Sequence, residues 1–99
     1  MDMEQLLAQA RELQDKVATA QDELGRTNVK GLAAGGACIV EMTCKYDPVA
    51  ITIRDDAMAG GATAVADSVL AALRDAKATA DAVIDRVMGD ATAGMPLPE

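Results

Sequence analysis

The side chains that could carry catalysis are few in this chain of 99 residues. It has no histidine, which is the side chain best suited to general acid–base work near neutral pH. Its only serine, Ser68, lies within a helical pattern and has no histidine to activate its hydroxyl. We therefore interpret Ser68 as a small residue on a helix face, assign no catalytic residue and predict that the protein is not an enzyme.

The two cysteines, Cys38 and Cys44, match neither a zinc site nor a secreted disulfide framework. If both lie on one strand, a rise of about 3.3 Å per residue separates them by about 20 Å, which is beyond disulfide reach. Their even spacing places them on the same face of that strand. We expect both to be buried as small apolar side chains, and a disulfide across a dimer interface is the alternative.

Three acidic residues, Asp47, Asp55 and Asp56, could in principle gather a hard cation through their carboxylates. Their spacing matches no calcium-binding loop, so we interpret them as solvated loop acids. An enzyme that uses a metal held by Asp55 and Asp56 is a minor alternative. The sequence thus predicts no metal site and no cofactor.

Positive charge is scarce in this chain, whose formal net charge is −7 from nine basic and sixteen acidic residues. Tight binding to nucleic acid therefore requires a local basic cluster, because phosphate contacts dominate such affinity. Arg74 and Lys77 share one face of a predicted helix, and Arg26 and Lys30 lie near the junction of another helix with the sheet. They could form a phosphate-contacting stripe, doubled by dimer symmetry. The alternative is that they solubilise the protein and pair with neighbouring acids.

The first element that must position these residues is a long helix over residues 2–24. Its apolar residues follow a heptad pattern of alternating steps of four and three: Leu6, Ala10, Leu13, Val17, Ala20 and Leu24. Gly25 is expected to cap its C-terminus. A helix of about 35 Å is too long to be covered by short strands, so part of its apolar seam should meet another helix.

The middle of the chain changes to a two-residue period, which predicts a half-buried strand over residues 37–46. One face of that strand would carry Cys38, Val40, Met42, Cys44 and Tyr46. Asp47-Pro48 indicates a turn, and residues 49–54 alternate again as the returning strand of a hairpin. Residues 27–32 are a weaker strand candidate, so we predict a three-stranded antiparallel meander.

A second long helix is predicted to follow a loop over residues 55–61, which could contain one helical turn, and to end near Met88. Thr63 is its expected N-cap. Small residues dominate the centre of its apolar seam, so another backbone can approach closely there: Val65, Val69, Ala72, Ala76, Ala80, Val83 and Val87. The predicted fold class is α+β, α-β-β-β-α, with a three-stranded antiparallel sheet flanked by two long helices. It forms one domain over residues 1–92, followed by a flexible Gly/Pro tail over residues 93–99.

The apolar side chains are too small to build a large core from one chain. Hydrophobic residues make up 51% of the sequence, but alanine is the commonest of them, and Phe and Trp are absent. Burial therefore stabilises little per residue, and such domains often gain stability by oligomerising. We predict a two-fold homodimer. Its interface would be drawn from the first helix and the central strand: Leu6, Leu13, Val17, Val40 and Met42.

The expected location follows from two further features. The acidic start of the chain does not resemble a signal peptide. No apolar run approaches the roughly 20 residues of a membrane span. We expect a soluble cytoplasmic protein with no membrane partner.

Several stretches of the chain resemble the YbaB/EbfC family of bacterial nucleoid-associated proteins. Residues 3–14 (MEQLLAQARELQ) are similar to the family's first helix, and residues 67–76 (DSVLAALRDA) are similar to its second. Residues 29–31 (VKG), followed by residues 35–37 (GGA), are similar to the family's entry into the sheet. With residues 94–98 similar to the family's Gly/Pro ending, the resemblance covers nearly the whole chain.

The resemblance implies a tweezer-like homodimer that binds duplex DNA with little or variable sequence preference, and that organises the nucleoid or regulates transcription. Such binding would use phosphate contacts. Five basic residues are our candidates for them: Arg11, Arg26, Lys30, Arg74 and Lys77. The alternative is an acidic homodimeric adaptor between proteins, with weak or no DNA binding, whose surface repels DNA and attracts basic partners.

Overall fold

Two long helices and a sheet of three short strands make up residues 2–93, the part of the chain that the computed structural model describes. The elements in order are α1 (Met3–Arg26), β1 (Asn28–Ala33), β2 (Cys38–Thr43), β3 (Pro48–Ile53), the single-turn α2 (Asp55–Met58) and α3 (Gly61–Thr92). The predicted α-β-β-β-α order is confirmed, and the expected helical turn before the last helix is α2. The division into a domain over 1–92 and a flexible tail over 93–99 stays a prediction, because residues 94–99 lie outside the described part.

The three strands form one antiparallel sheet in the order β1-β2-β3, so β1 and β3 are its edges. Val40 in the middle of β2 lies opposite Gly31 on one side and Ile51 on the other. We call the face that carries these three residues the front face. The back face carries Lys30 opposite Glu41. The burial alternation predicted for β2 is confirmed from Cys38 to Cys44, but Tyr46 is exposed and the strand itself ends at Thr43 rather than at residue 46.

A close contact between backbones holds α3 on the front face. A Cβ atom added to Gly31 would lie 2.0 Å from the carbonyl oxygen of Ala72 and 2.2 Å from the amide nitrogen of Ala76, both in α3. Ala72, Ala76 and Ala80 have no exposed surface. The predicted close approach to the small-residue seam is therefore confirmed, and the approaching backbone is that of β1.

The front face of β2 forms the centre of the core. Val40 is 0% and Met42 is 2% exposed in the single chain, and both belong to one cluster with residues of α1 and α3. Side chains that are buried within one chain cannot contact a second chain. The prediction that Val40 and Met42 lie at a dimer interface is therefore wrong, and they are residues of the monomer's core.

The ends of the helices differ from the prediction. Gly25 does not cap α1, because it keeps a negative φ inside the helix and the chain leaves at Thr27, whose N–H donates to the carbonyl of Leu24 at 3.3 Å. Thr63 does not cap α3, because the helix already begins at Gly61. The flanking Gly60 makes no side-chain capping bond, and Thr63 lies inside the first turn.

The two long helices run antiparallel and overlap over only part of their length. The molecule measures 67 × 24 × 16 Å, and its radius of gyration is 19.2 Å, against about 13 Å for a compact domain of this size. The C-terminal half of α1 packs beside the end of α3, where Thr19 and Ala20 face Val87 and Ala91. The predicted contact of the α1 seam with another helix is confirmed for this half, whereas the N-terminal half extends beyond α3.

The close contact at Gly31 makes a stability prediction. We expect Gly31→Ala to lower the free energy of unfolding by about 3 kcal/mol, because the added methyl group overlaps backbone atoms that cannot rotate away. Gly89→Ala is the control, because a Cβ there meets nothing within 4 Å. Within a helix this control should stabilise by about 1 kcal/mol. Urea unfolding followed by circular dichroism measures both, and wild-type stability of Gly31→Ala would contradict the close contact.

Candidate nucleic-acid interface

An exposed flank of α3 faces the turn between β2 and β3. It carries Leu73, Arg74 and Lys77, which line a groove of about 250 Å³ together with Met42 and Tyr46. The flank faces outward because the alanines at neighbouring positions are buried on the sheet, and the helical period turns these three side chains away from it. We call Arg74 and Lys77 the α3 basic pair, and the structure confirms that they share one face.

Two neighbours fix the position of Lys77. Its Nζ lies 3.0 Å from Oδ2 of Asp81, one turn further along α3, and 5.4 Å from the centre of the Tyr46 ring. The Tyr46 hydroxyl donates a hydrogen bond to the other carboxylate oxygen of Asp81. Tyr46 belongs to the β2–β3 turn and has a φ of 64°, a conformation that most non-glycine residues avoid.

The hydrogen bonds at Asp81 shift three pKa values. They raise the pKa of Tyr46 and the pKa of Lys77. They lower the pKa of Asp81, and the hydrogen bond from Tyr46 contributes more to this shift than the one from Lys77. Lys77 and Asp81 are therefore both charged at neutral pH and largely compensate each other. Arg74 makes no ion pair within residues 2–93, so it supplies the flank's uncompensated positive charge.

The structure does not bring all five predicted basic residues together. Lys30 lies on the back face of the sheet, where its Nζ is 3.5 Å from Oε1 of Glu41. Arg11 lies on the exposed N-terminal half of α1. Neither of them shares a surface with the α3 basic pair.

The end of α1, where Arg26 is the last residue, gains a second basic residue that the sequence did not indicate. The N–H of Cys44 donates to the carbonyl of Leu24 at 3.2 Å, which ties the β2–β3 turn to the end of α1. The Lys45 side chain consequently lies over Gly25, with its Cδ 3.4 Å from where a Cβ would stand. Lys45 could not be found from spacing, because this neighbourhood depends on a contact between distant parts of the chain.

An apolar surface on the front of the molecule was also missed. β3, which was predicted as the returning strand of the hairpin, has all six of its residues exposed. Ile51 and Ile53 lie on the front face because they pair with Val40 and Cys38 of β2. With two exposed leucines of α3 they form what we call the front patch: Ile51, Ile53, Leu70 and Leu73.

The front patch is open because α3 is narrower than the sheet. A helix is about 10 Å across with its side chains, whereas strands repeat every ~4.8 Å, so a helix centred near β1 reaches β2 but leaves the third strand bare. The alternating pattern of β3 marks a face that suits burial, yet no element within residues 2–93 covers it.

Metal binding and disulfide formation are the other possibilities that the sequence raises. Within residues 2–93, no group of three or more metal-ligating side chains is placed to hold an ion. No helix in that part is long and apolar enough to cross a membrane. Cys38 and Cys44 are free thiols, and both are buried as predicted. Desolvation raises the pKa of Cys44. Their burial also leaves them unable to bridge two chains.

Two long helices pack around a small sheet, and Arg74 and Lys77 are exposed together on one flank of α3. The sequence model of the YbaB/EbfC DNA-binding family matches residues 1–95. The chain therefore belongs to this family, and the resemblance in its sequence is confirmed. The family is described by DNA binding rather than by catalysis.

One relative and one solved structure illustrate the match. Nucleoid-associated protein BAV0915 of Bordetella avium (strain 197N) is 38% identical over 93 residues, which cover 94% of this chain and 86% of that protein. The crystal structure of the uncharacterized protein HP0035 from Helicobacter pylori matches with a TM-score of 0.78 at 17% identity, over 91% of this chain and 96% of that one. This second likeness shows the fold and confirms the predicted α+β class.

The Tyr46–Asp81–Lys77 cluster predicts how the protein's only aromatic residue titrates. Asp81→Asn should lower the raised pKa of Tyr46 towards its ordinary value near 10, because the carboxylate that stabilises the protonated phenol is removed. Near-ultraviolet absorbance measures this titration without interference. Asp85→Asn is the control, since the charge of Asp85 raises the pKa of Tyr46 less than Asp81 does. Equal effects of the two variants would contradict the hydrogen bond.

Proposed function

We propose that this protein is a nucleoid-associated homodimer that binds duplex DNA through phosphate contacts with little sequence preference. It would act in the cytoplasm at the nucleoid, where it organises the DNA or modulates transcription. The observation that carries the proposal is the α3 basic pair, exposed on one flank of a chain that belongs to a DNA-binding family. The name of the Bordetella relative supports the same role.

The chemistry of the flank suits phosphate groups rather than bases. The guanidinium of Arg74 can donate two parallel hydrogen bonds to one phosphate, while Lys77 acts as a point charge. Contacts of this kind position DNA without reading its sequence. Because Lys77 and Asp81 form an exposed pair, a phosphate can take the place of the carboxylate.

The net charge of −7 sets the conditions for binding. The acidic surface repels DNA, so the contact must be local and must weaken steeply as salt is added. Arg26 and Lys45, at the junction of α1 with the β2–β3 turn, extend the proposed contact beyond α3. Arg11 and Lys30 lie on other surfaces, and we give them no part in it.

The homodimer would form through the front patch. Ile51 is 54% exposed and Ile53 is 37% exposed, so each side chain has roughly half of its apolar surface left to bury. Burying it would stabilise the dimer by about 1 kcal/mol per side chain. β3 is a sheet edge, so a two-fold axis beside it would also let the two β3 strands approach each other.

Removal of the α3 basic pair tests the binding of DNA. Arg74→Ala with Lys77→Ala should weaken gel retardation of duplex DNA, and it should reduce the slope of log affinity against log salt by about 0.9 for each phosphate that the variant no longer neutralises. The control is Arg11→Ala with Lys30→Ala, which removes the same charge from other surfaces. Equal weakening by both double variants would contradict the assignment to α3. No retardation by the wild type at low ionic strength would contradict DNA binding itself and favour the acidic adaptor.

A charge in the front patch tests the dimer. Ile51→Glu should reduce the mass measured by light scattering at micromolar concentration from that of two chains towards the 10.2 kDa of one, because a carboxylate would be buried at the interface. Thr52→Glu is the matched control on the same strand, because its side chain lies on the back face beside Ile39. At micromolar concentration, before the concentration is raised and without any cross-link, a dimer that survives Ile51→Glu would contradict this interface.

A further inference from the structure

A second apolar surface lies on the N-terminal half of α1, beyond the end of α3. Met3 is 72%, Leu6 48% and Leu7 54% exposed. With Ala10 and the half-buried Leu13 they form a continuous row along the helix, which we call the α1 stripe. The predicted interface residues Leu6 and Leu13 belong to it, whereas the front patch lies elsewhere.

The flanks of the α1 stripe are free of like charges that would repel a second copy. In the heptad defined by Leu6 and Ala10, the flanking positions of the stripe hold Leu7, Gln9 and Gln14. The nearest charged residues on a flank are Asp2, the N-cap of α1, and Lys16, which Glu12 compensates at 3.4 Å. In a chain that is 25% charged, this stretch is therefore suited to contact with an identical helix.

We propose that the α1 stripe pairs antiparallel with the α1 stripe of a second copy. A two-fold axis perpendicular to the helix at the level of residue 8 would place Leu6 against Ala10 of the second copy, and Met3 against Leu13. Leu6 then faces the small side chain of Ala10, so the two helices can approach closely at that level. Leu7 would lie beside its own symmetry mate.

This contact cannot belong to the dimer formed by the front patch, on which the inference rests. Leu6 lies about 27 Å along α1 from Leu24, and Leu73 lies about 10 Å further on, past Ala80 of the shared core. An isologous contact has its two-fold axis through its centre. One axis perpendicular to α1 cannot pass through two centres that are about 35 Å apart along it. The α1 stripe therefore joins one dimer to another.

The joined dimers would present several α3 basic pairs in one assembly. Two separate two-fold contacts generate either a closed tetramer or a chain of dimers. Either form can hold more than one DNA segment, because each dimer carries its own contact surfaces. Assembly through α1 also raises the effective concentration of each further DNA contact.

The first experiment measures mass against concentration for the full-length protein. Wild type should exceed the mass of two chains as concentration rises, whereas Leu6→Glu with Leu7→Glu should stop at two. Ala8→Glu is the matched control, because Ala8 is exposed on the opposite side of α1. This variant should assemble as the wild type does. If all three proteins stop at two chains, or if the control loses assembly equally, the inference is overturned.

The second experiment tests the register with engineered cysteines. Chains with Leu6→Cys mixed with chains with Ala10→Cys should form disulfide-linked pairs under mild oxidation, since facing positions lie within disulfide reach. Leu6→Cys mixed with Ala8→Cys should not. The native cysteines are buried, so the wild-type protein measures the background level of disulfide-linked pairs. Efficient linking of Ala10→Cys to itself would indicate parallel helices and overturn the geometry.

The two proposals can fail separately. Ile51→Glu can be combined with Leu6→Cys in one chain and with Ala10→Cys in another. If these chains still form disulfide-linked pairs but do not exceed the mass of two chains, the result would support both contacts. A linked species from otherwise wild-type chains that remains at two chains in native light scattering would place the stripe inside the dimer and overturn the inference. Gel retardation of DNA tests the proposed function independently of these results.

Discussion

The front face of β1 and the middle of α3 meet through their backbones, because Gly31 has no side chain and α3 offers only alanine there. A helix that approaches so closely cannot slide or rotate without overlapping backbone atoms. The contact therefore sets the line on which α3 crosses the sheet. It also sets which side chains of α3 face outward, and Arg74 and Lys77 are exposed together for that reason.

The same contact explains why the described part of the chain leaves some of its apolar surface uncovered. An alanine seam brings α3 close to β1 and β2, and a helix packed at so short a distance from these two strands cannot also cover β3. Ile51 and Val40 are neighbours on the front face, but one is exposed and the other fully buried. Apolar area that a larger core would enclose remains at the surface, and self-association is the simplest way to bury it.

Electrostatics gives the two residues of the α3 basic pair different roles. Asp81 accepts hydrogen bonds from both Tyr46 and Lys77, so the Lys77 ammonium is held in a fixed direction at the edge of the groove. Arg74 has no carboxylate partner among the described residues, so its guanidinium is available to bind a ligand. In a chain with a net charge of −7, such local arrangement matters more than the overall charge.

The sequence by itself determined the kinds of element and the kind of chemistry. Its three- and four-residue steps and its two-residue alternation predicted the helices and strands, and the missing histidine removed the usual catalytic groups. It could not separate Val40 and Met42 from Ile51 and Ile53, because all four follow the same alternation. Nor could it place Lys45 over Gly25 at the end of α1. Only the tertiary structure decided these points, since periodicity shows which face of an element is apolar, and the width and position of the packed helix decide how much of that face is covered.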